Sequence, residues 1–191
     1  MKHFSQIDGL LDFSKQRIEQ IFKEADGYNR QYDALLSLAA SNALPSDVQH
    51  TLLGLATYGW MPTIPKSQTE EPYLDKVVSL NSAAAVDEFL ERLKKPVINN
   101  SWVGTSKILH FANPVWFPIW DSKVGSVVGI KRHSINIKRH YLAYVLMMRE
   151  LVTAHEEAAI PLKQAMFDKY GYRPSSLRCF ELNLFVGRSK S

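Results

Sequence analysis

Residues 99–111 read NNSWVGTSKILHF, a polar turn with one glycine that leads into an apolar helical pattern. Thr105 or Ser106 is predicted to cap this helix, so that its free backbone N–H groups point outward. Such a helix start binds a phosphate well, because the N–H donors and the helix dipole both favour an anion. Lys107 would lie in the first turn, where a lysine opposes the dipole. This placement suggests a functional amine, and the alternative is an ordinary capped helix with one exposed lysine.

Residues 113–124 read NPVWFPIWDSKV, an aromatic run with two prolines that ends in a carboxylate. The prolines forbid a helix here and stiffen the approach to Asp121. The aromatic surroundings should exclude water and strengthen any charge placed beside them. Asp121 is predicted to cap the next helix or to face a cleft. The two roles are compatible, because one carboxylate oxygen can cap while the other faces outward.

The rest of the chain reads as a succession of helices. Apolar residues at three- and four-residue steps predict helices over about 5–25 and 32–42, separated by Gly27 and Asn29, and a third helix opening at Pro45. Further helices are predicted over about 83–90, 106–112, 122–129, 137–158, 160–170 and 175–187. No stretch alternates long enough to predict a strand. We therefore expect one compact all-α domain over residues 1–191, with a proline-containing loop at about 60–72 between two candidate lobes.

Composition limits the class of protein. The 191 residues are 46% hydrophobic and 22% charged, which is typical of a globular domain. A single cysteine, Cys179, excludes an intrachain disulfide and a cysteine-rich zinc site. No apolar signal core is visible, and no uncharged apolar run approaches the roughly 18 residues of a membrane span. We expect a soluble, cytoplasmic protein that needs no metal or other cofactor.

The charge is unevenly distributed along the chain. Residues 94–140 carry eight Lys and Arg against one acid, a net charge of +7, whereas residues 1–93 have a net charge of −5. The basic stretch includes two similar triplets, Lys131-Arg132-His133 and Lys138-Arg139-His140. A basic block within folded chain favours a face that binds nucleic acid. A solvated basic face without a partner is the alternative.

Together, the first two stretches resemble the helix-hairpin-helix DNA glycosylases, the superfamily of endonuclease III and the 8-oxoguanine glycosylases. In that family a Gly-Val-Gly-x-Lys hairpin leads into a helix, and a proline-rich segment then delivers a Val-Asp pair. Here Val103-Gly104-Thr105-Ser106-Lys107 stands at the hairpin and Pro118-Ile119-Trp120-Asp121 at the acid. Two features depart from the family: Val103 or Trp102 replaces the first glycine, and only 14 positions separate the lysine from the aspartate. The lack of a four-cysteine cluster excludes the iron–sulfur branch.

The resemblance implies a helix-hairpin-helix bundle that binds double-stranded DNA and excises a damaged purine in base excision repair. Lys107 would be the nucleophile, forming a Schiff base that also allows AP lyase activity, and Asp121 would stabilise positive charge on the sugar. The implied DNA-binding residues are Val103, Gly104, Thr105, Ser106, Lys123, Lys131, Arg132, Lys138 and Arg139. The alternative, which the altered hairpin glycine favours, is a non-catalytic helical module that binds DNA or a protein and retains the hairpin fold.

Several other residues are predicted to be structural. His110 is predicted to pack inside the protein, Cys179 to be buried and unreactive, and Arg178, Glu181 and Arg188 to form ion pairs. Four aromatic residues are candidates for stacking on a flipped base, although core packing is the main prediction for each: Tyr58, Trp60, Phe117 and Trp120.

Overall fold

A computed structural model describes residues 9–41, 43–58 and 73–187. Its α-helices are α1 (Lys15–Ala39), α2 (Ser46–Tyr58), α3 (Tyr73–Val78), α4 (Ala83–Arg92), α5 (Trp102–Ala112), α6 (Ser122–Val127), α7 (Lys138–His155), α8 (Ile160–Tyr170) and α9 (Ser176–Phe185). Short 3-10 turns cover Arg132–Ser134 and Glu156–Ala159. Within these ranges the chain is helical and forms no strand, so the all-α prediction is confirmed for them. The predicted loop at 60–72 lies outside the described residues.

The first helix differs from the prediction. α1 runs unbroken from Lys15 to Ala39, although Gly27 and Asn29 were predicted to separate two helices. A glycine inside a helix costs only about 0.5–1 kcal/mol, and burial of one apolar face outweighs that cost. That face includes Ile21 and Tyr32, both fully buried. The helix also begins later than predicted, at the N-cap Ser14, whose hydroxyl accepts from the N–H of Arg17.

The start of α5 also differs from the prediction. The helix begins at Trp102, and Ser101 rather than Thr105 or Ser106 is its N-cap, accepting from the N–H of Gly104. The preceding turn is made by Asn99 and Asn100, whose φ angles are 52° and 48°. Asparagine tolerates this left-handed region better than most residues. The turn therefore occurs before the predicted hairpin, and residues 103–106 are helical.

The core surrounds α5 and α9. α5 packs against α1, α2 and α3, and α9 packs against α1, α6, α7 and α8. The segment from Phe117 to Trp120 is extended and buried between them, and both aromatic rings are fully buried. The core prediction for these two residues is confirmed. The Tyr58 side chain and Trp60 lie outside what the structure describes.

Hydrogen bonds of Asn183 connect α9 to the start of α1 and to the turn before it. The Asn183 amide nitrogen lies 3.1 Å from the carbonyl oxygen of Gly9 and 2.9 Å from that of Leu10. Arg17 in α1 donates to both the side-chain and the main-chain oxygen of Asn183. The first described turn and the last described helix are therefore tied together. Among the helices in the described ranges, none combines the length and the apolar character needed to cross a membrane.

Candidate active site

A cavity of about 670 Å³ opens between α1, α5, the start of α6 and α9. Lys107 and Asp121 both line it. Its volume is within the range of small-molecule sites, which hold roughly 300–1,000 Å³. The resemblance implies that this lysine and this aspartate act on the same substrate, and both residues line this one cavity.

Lys107 is in the second turn of α5, not the first, because the helix begins earlier than predicted. Only 6% of the residue is exposed. Burial lowers the pKa of its amine to about 8, against the opposing attraction of Asp121 and, more weakly, of Glu181. A buried amine with a lowered pKa has a larger neutral fraction near pH 7 than an ordinary lysine, and the neutral amine is the nucleophilic form.

Asp121 has both of its predicted positions. It is the N-cap of α6, with Oδ1 accepting from the N–H of Val124 at 2.8 Å, and it also lines the cavity. The residue is partly exposed, so its carboxylate is in contact with both the helix start and the open space. The residues immediately before Asp121 form neither a helix nor a strand. The position of Asp121 therefore depends on the contacts that hold this segment.

Side chains from two helices hold that segment at consecutive backbone N–H groups. The hydroxyl of Ser106 in α5 accepts from the N–H of Trp120 at 2.9 Å. The Oε2 atom of Glu181 in α9 accepts from the N–H of Ile119 at 2.9 Å. Because a buried N–H without a partner is costly, these two bonds fix the extended backbone in place. They stand immediately before Asp121 in the chain.

His110 makes a third attachment. Its Nδ1 lies 2.6 Å from the carbonyl oxygen of Phe117, which can only accept, so this nitrogen carries the proton. Nε2 then accepts from the hydroxyl of Tyr32 at 2.8 Å. Burial, helped by the charge of Arg178, lowers the pKa of the imidazole to about 3. The prediction that this histidine is packed inside the protein is confirmed.

Arg178 and Glu181 form a buried ion pair one helical turn apart on α9. The predicted pairing is confirmed for these two residues, and Arg188 lies outside the described residues. The guanidinium also stacks 4.8 Å from the ring centre of Tyr32. Burial raises the pKa of the Glu181 carboxyl, while Arg178 and the Ile119 N–H oppose the rise. The sequence analysis did not identify Glu181 as a cavity residue; its signal was an acid within the apolar run of α9.

The predicted phosphate site at the hairpin is not formed in the predicted way. Thr105 and Ser106 have fully buried side chains, and Thr105 Oγ1 accepts from the N–H of Val97 at 2.9 Å. Their N–H groups lie inside α5, because the helix starts at Trp102. Gly104 is also buried and donates to its N-cap, whereas Val103 is partly exposed and lines the cavity. Of the four residues from Val103 to Ser106 that were implied to bind DNA, only Val103 lines the cavity.

The five basic residues that were implied to bind DNA do not all lie at the cavity. Lys123 and Arg132 line the cavity, and Lys131 and Arg139 are exposed at the surface. Lys138 instead turns toward α4, where its amine lies 3.3 Å from the carbonyl oxygen of Glu91. The cavity therefore has two of the five predicted cations in its lining.

One wall of the cavity is aromatic, and the sequence analysis missed it. Tyr28 of α1 and Phe185 of α9 form an edge-to-face pair with ring centres 5.6 Å apart, and both line the cavity. Lys123 lies over the Phe185 ring at 4.2 Å and pairs with Glu24 of α1 at 3.1 Å. Only the contact between two distant helices reveals this wall, since neither residue lies in a motif.

The remaining candidates for chemistry are structural. The part of the chain that the structure describes has no group of three or more His, Cys, Asp or Glu residues that could hold a metal ion. Cys179 is fully buried, as predicted, and burial raises the pKa of its thiol to about 12. No protein-family model, no curated protein and no solved structure matches the chain.

Proposed function

We propose that this protein is a helix-hairpin-helix DNA glycosylase of the cytoplasm that excises a damaged purine from double-stranded DNA. The observation that supports this function is the meeting of a buried lysine amine and a carboxylate at one cavity large enough for a nucleotide. A lysine is rarely buried without a reason, because desolvation penalises its charged form. Here the lowered pKa suits the amine to nucleophilic attack.

The proposed chemistry begins with a damaged nucleotide flipped out of the duplex into the cavity. The Lys107 amine attacks the sugar C1′, a C–N bond to the enzyme forms, and the bond from C1′ to the base breaks. The base leaves with its bonding electrons and takes up a proton. Asp121 stabilises the positive charge that develops on the sugar as the base departs. Opening of the sugar ring gives a Schiff base, from which β-elimination cleaves the strand.

The pKa of Lys107 decides how much amine is ready to react. With a pKa of about 8, about a tenth of the amine is neutral at pH 7, compared with roughly one part in 3,000 at the ordinary value of 10.5. This gain of a few hundredfold comes from burial, which outweighs the attraction of Asp121 and Glu181 for the charged form. We therefore expect the rate of adduct formation to rise with pH up to about pH 8 and then level off.

The basic residues support DNA binding. Lys123 and Arg132 at the cavity, with the exposed Lys131 and Arg139 nearby in sequence, are proposed to contact phosphates on either side of the flipped nucleotide. Binding through phosphates weakens steeply with salt, because each contact releases counterions.

The alternative is a non-catalytic helical module that binds DNA or a protein. One observation favours it: the backbone donors at 105 and 106 lie inside α5 instead of facing a phosphate. A module of this kind would use the basic surface without any reaction at Lys107.

Borohydride trapping separates the two functions. The wild-type protein and Lys107→Ala are incubated with duplexes that carry 8-oxoguanine, hypoxanthine or an abasic site, and Lys163→Ala on α8 serves as the control. We expect a covalent adduct on a denaturing gel with the wild type and the control, and none with Lys107→Ala. An adduct with Lys107→Ala would disprove the role of this lysine. Binding to DNA without base release or an adduct on any duplex would favour the non-catalytic module.

A further inference from the structure

We propose that Glu181 is a positioning residue of this cavity: it holds the backbone that leads to Asp121 and presents its negative charge to the Lys107 amine. The proposal deepens the function proposed above and relies on it only for the kinetic readout. No substrate contact is assigned to Glu181, which acts through the two groups that it places.

Glu181 holds the backbone before Asp121 directly: the Ile119 N–H donates to Glu181 Oε2 at 2.9 Å. Ile119 is two residues before Asp121, in a segment that is not itself part of a strand or a helix. The hydroxyl of Ser106 in α5 accepts from the next N–H group, that of Trp120. With both hydrogen bonds in place, the backbone has little freedom to move the aspartate away from the lysine.

Glu181 is itself held rigidly. Its other oxygen, Oε1, accepts from Arg178, and the Arg178 guanidinium lies over the Tyr32 ring. The side chains of this pair are only 4% and 2% exposed. A carboxylate on a mobile surface side chain could not set the position of a backbone segment, whereas this one is fixed by its ion pair and by packing.

Glu181 also acts on Lys107 through its negative charge. Glu181 lines the same cavity as Lys107, and its carboxylate favours the charged form of that amine. Asp121 exerts the larger effect of the same sign. The other titratable groups that line the cavity, from α1, the α6 start, the 3-10 turn and α9, are Glu24, Tyr28, Lys123, Arg132 and Arg178. A residue that merely filled space would leave the titration of Lys107 unchanged.

The titration of Lys107 gives a test that needs no DNA. The folded protein is labelled with acetic anhydride over a range of pH, and the extent of modification of the Lys107 peptide is measured by mass spectrometry. In Glu181→Gln we expect the midpoint to fall by about one pH unit, because a nearby negative charge is lost and Arg178 is left positive. Glu24→Gln is the matched control: it makes the same chemical change in the same cavity, and the midpoint should not move.

Adduct formation tests the positioning of the backbone. Glu181→Gln retains an oxygen that can accept from the Ile119 N–H, so once the shift in the Lys107 midpoint is taken into account, its trapping rate should stay near that of the wild type. The double variant Arg178→Met, Glu181→Met replaces the ion pair with apolar side chains of similar size, which buried pairs often tolerate. It removes the acceptor, and we expect its rate to fall about 10- to 100-fold, the scale of a misplaced reacting group.

The outcomes separate this proposal from the proposed function. An unchanged Lys107 midpoint in Glu181→Gln, or a wild-type trapping rate in the folded double variant, would overturn the role of Glu181. A shifted midpoint in a protein whose wild type neither releases a base nor forms an adduct would support the electrostatic role and refute the glycosylase function. Loss of trapping in a Glu181→Gln variant that is folded by circular dichroism, after correction for the midpoint, would also overturn the positioning role, because the conservative variant should rescue it.

Discussion

Two hollows of similar size differ in how deeply their charged side chains are buried. The cavity at Lys107 holds about 670 Å³, and a groove between Trp116 and α7 holds about 520 Å³. Three ionisable residues that line the cavity are buried, Lys107, Arg178 and Glu181, whereas at the groove the Arg149 side chain is 16% exposed and that of its partner Asp87 is 48% exposed. Burying a charge costs free energy that burying an apolar side chain does not. Buried charge, more than volume, therefore distinguishes the cavity from the groove and makes it the candidate site.

The largest expected effect compares one ion pair from each hollow. Arg178→Met leaves Glu181 buried without its cation, and we expect the free energy of unfolding to fall by about 3–5 kcal/mol. Asp87→Ala breaks the half-exposed pair at the groove, and we expect a loss of less than about 1 kcal/mol. Urea denaturation of both variants measures the difference. Equal losses would mean that the two pairs are equally solvated and would remove the contrast.

Acid should destabilise the cavity side through His110. Its pKa is about 3 in the folded protein and near 6.5 when unfolded, so below pH 6.5 only the unfolded chain takes up the proton. Stability attributable to this residue is therefore complete above pH 6.5, and about 3 kcal/mol of it is lost by pH 4. Denaturation of the wild type and His110→Gln across this range tests the effect. If the two stability profiles run parallel, the histidine does not carry the dependence.

Lys107 is expected to weaken the fold that it serves. At pH 7 the folded protein holds a buried ammonium, so Lys107→Met should raise the free energy of unfolding by about 2 kcal/mol. The folded-state pKa of about 8 is below the ordinary 10.5, so the unfolded chain binds more protons between these values and the wild type gains stability as pH rises. The gap between the two proteins should close toward pH 10.5. A gap that is constant with pH would contradict this account.

The smallest expected effect is at Gly27 of α1. This helix forms one wall of the cavity, but Gly27 does not line it. A Cβ added at Gly27 would meet nothing within 4 Å. Gly27→Ala should therefore raise the free energy of unfolding by about 0.5–1 kcal/mol, since alanine favours the helix. The Lys107 labelling midpoint should not change, which separates stability from the properties of the site. A destabilised variant would indicate that α1 is strained at this position.

The sequence predicts several helices where the structure has them, but it does not predict α3. α4 covers Ala83–Arg92 and α8 covers Ile160–Tyr170, where helices were predicted over about 83–90 and 160–170. The continuity of α1 was missed because it depends on packing against distant helices, which a local glycine signal does not contain. The start of α5 was missed because two asparagines provide the turn that the family pattern assigns to glycine.

The candidate site could be predicted only as far as its local motifs reach. Lys107 and Asp121 are close in sequence, and each is in a recognisable stretch, so their shared cavity was within reach of sequence reasoning. Glu181, Tyr28 and Phe185 come from the two helices at opposite ends of the chain. Their convergence is a tertiary fact, and no spacing within one segment encodes it.

The tie between Asn183 and the turn before α1 has a consequence for synthesis on the ribosome. Translation proceeds from the α1 wall of the cavity, through Lys107, to the α9 wall. At about 5–20 residues per second, the lysine is in the nascent chain roughly 4–16 s before α9 has been translated. During this interval Lys107 has no Glu181 beside it, and the segment that carries Asp121 lacks one of the two hydrogen bonds that hold it. Assembly of the site therefore has to wait until α9 has been translated.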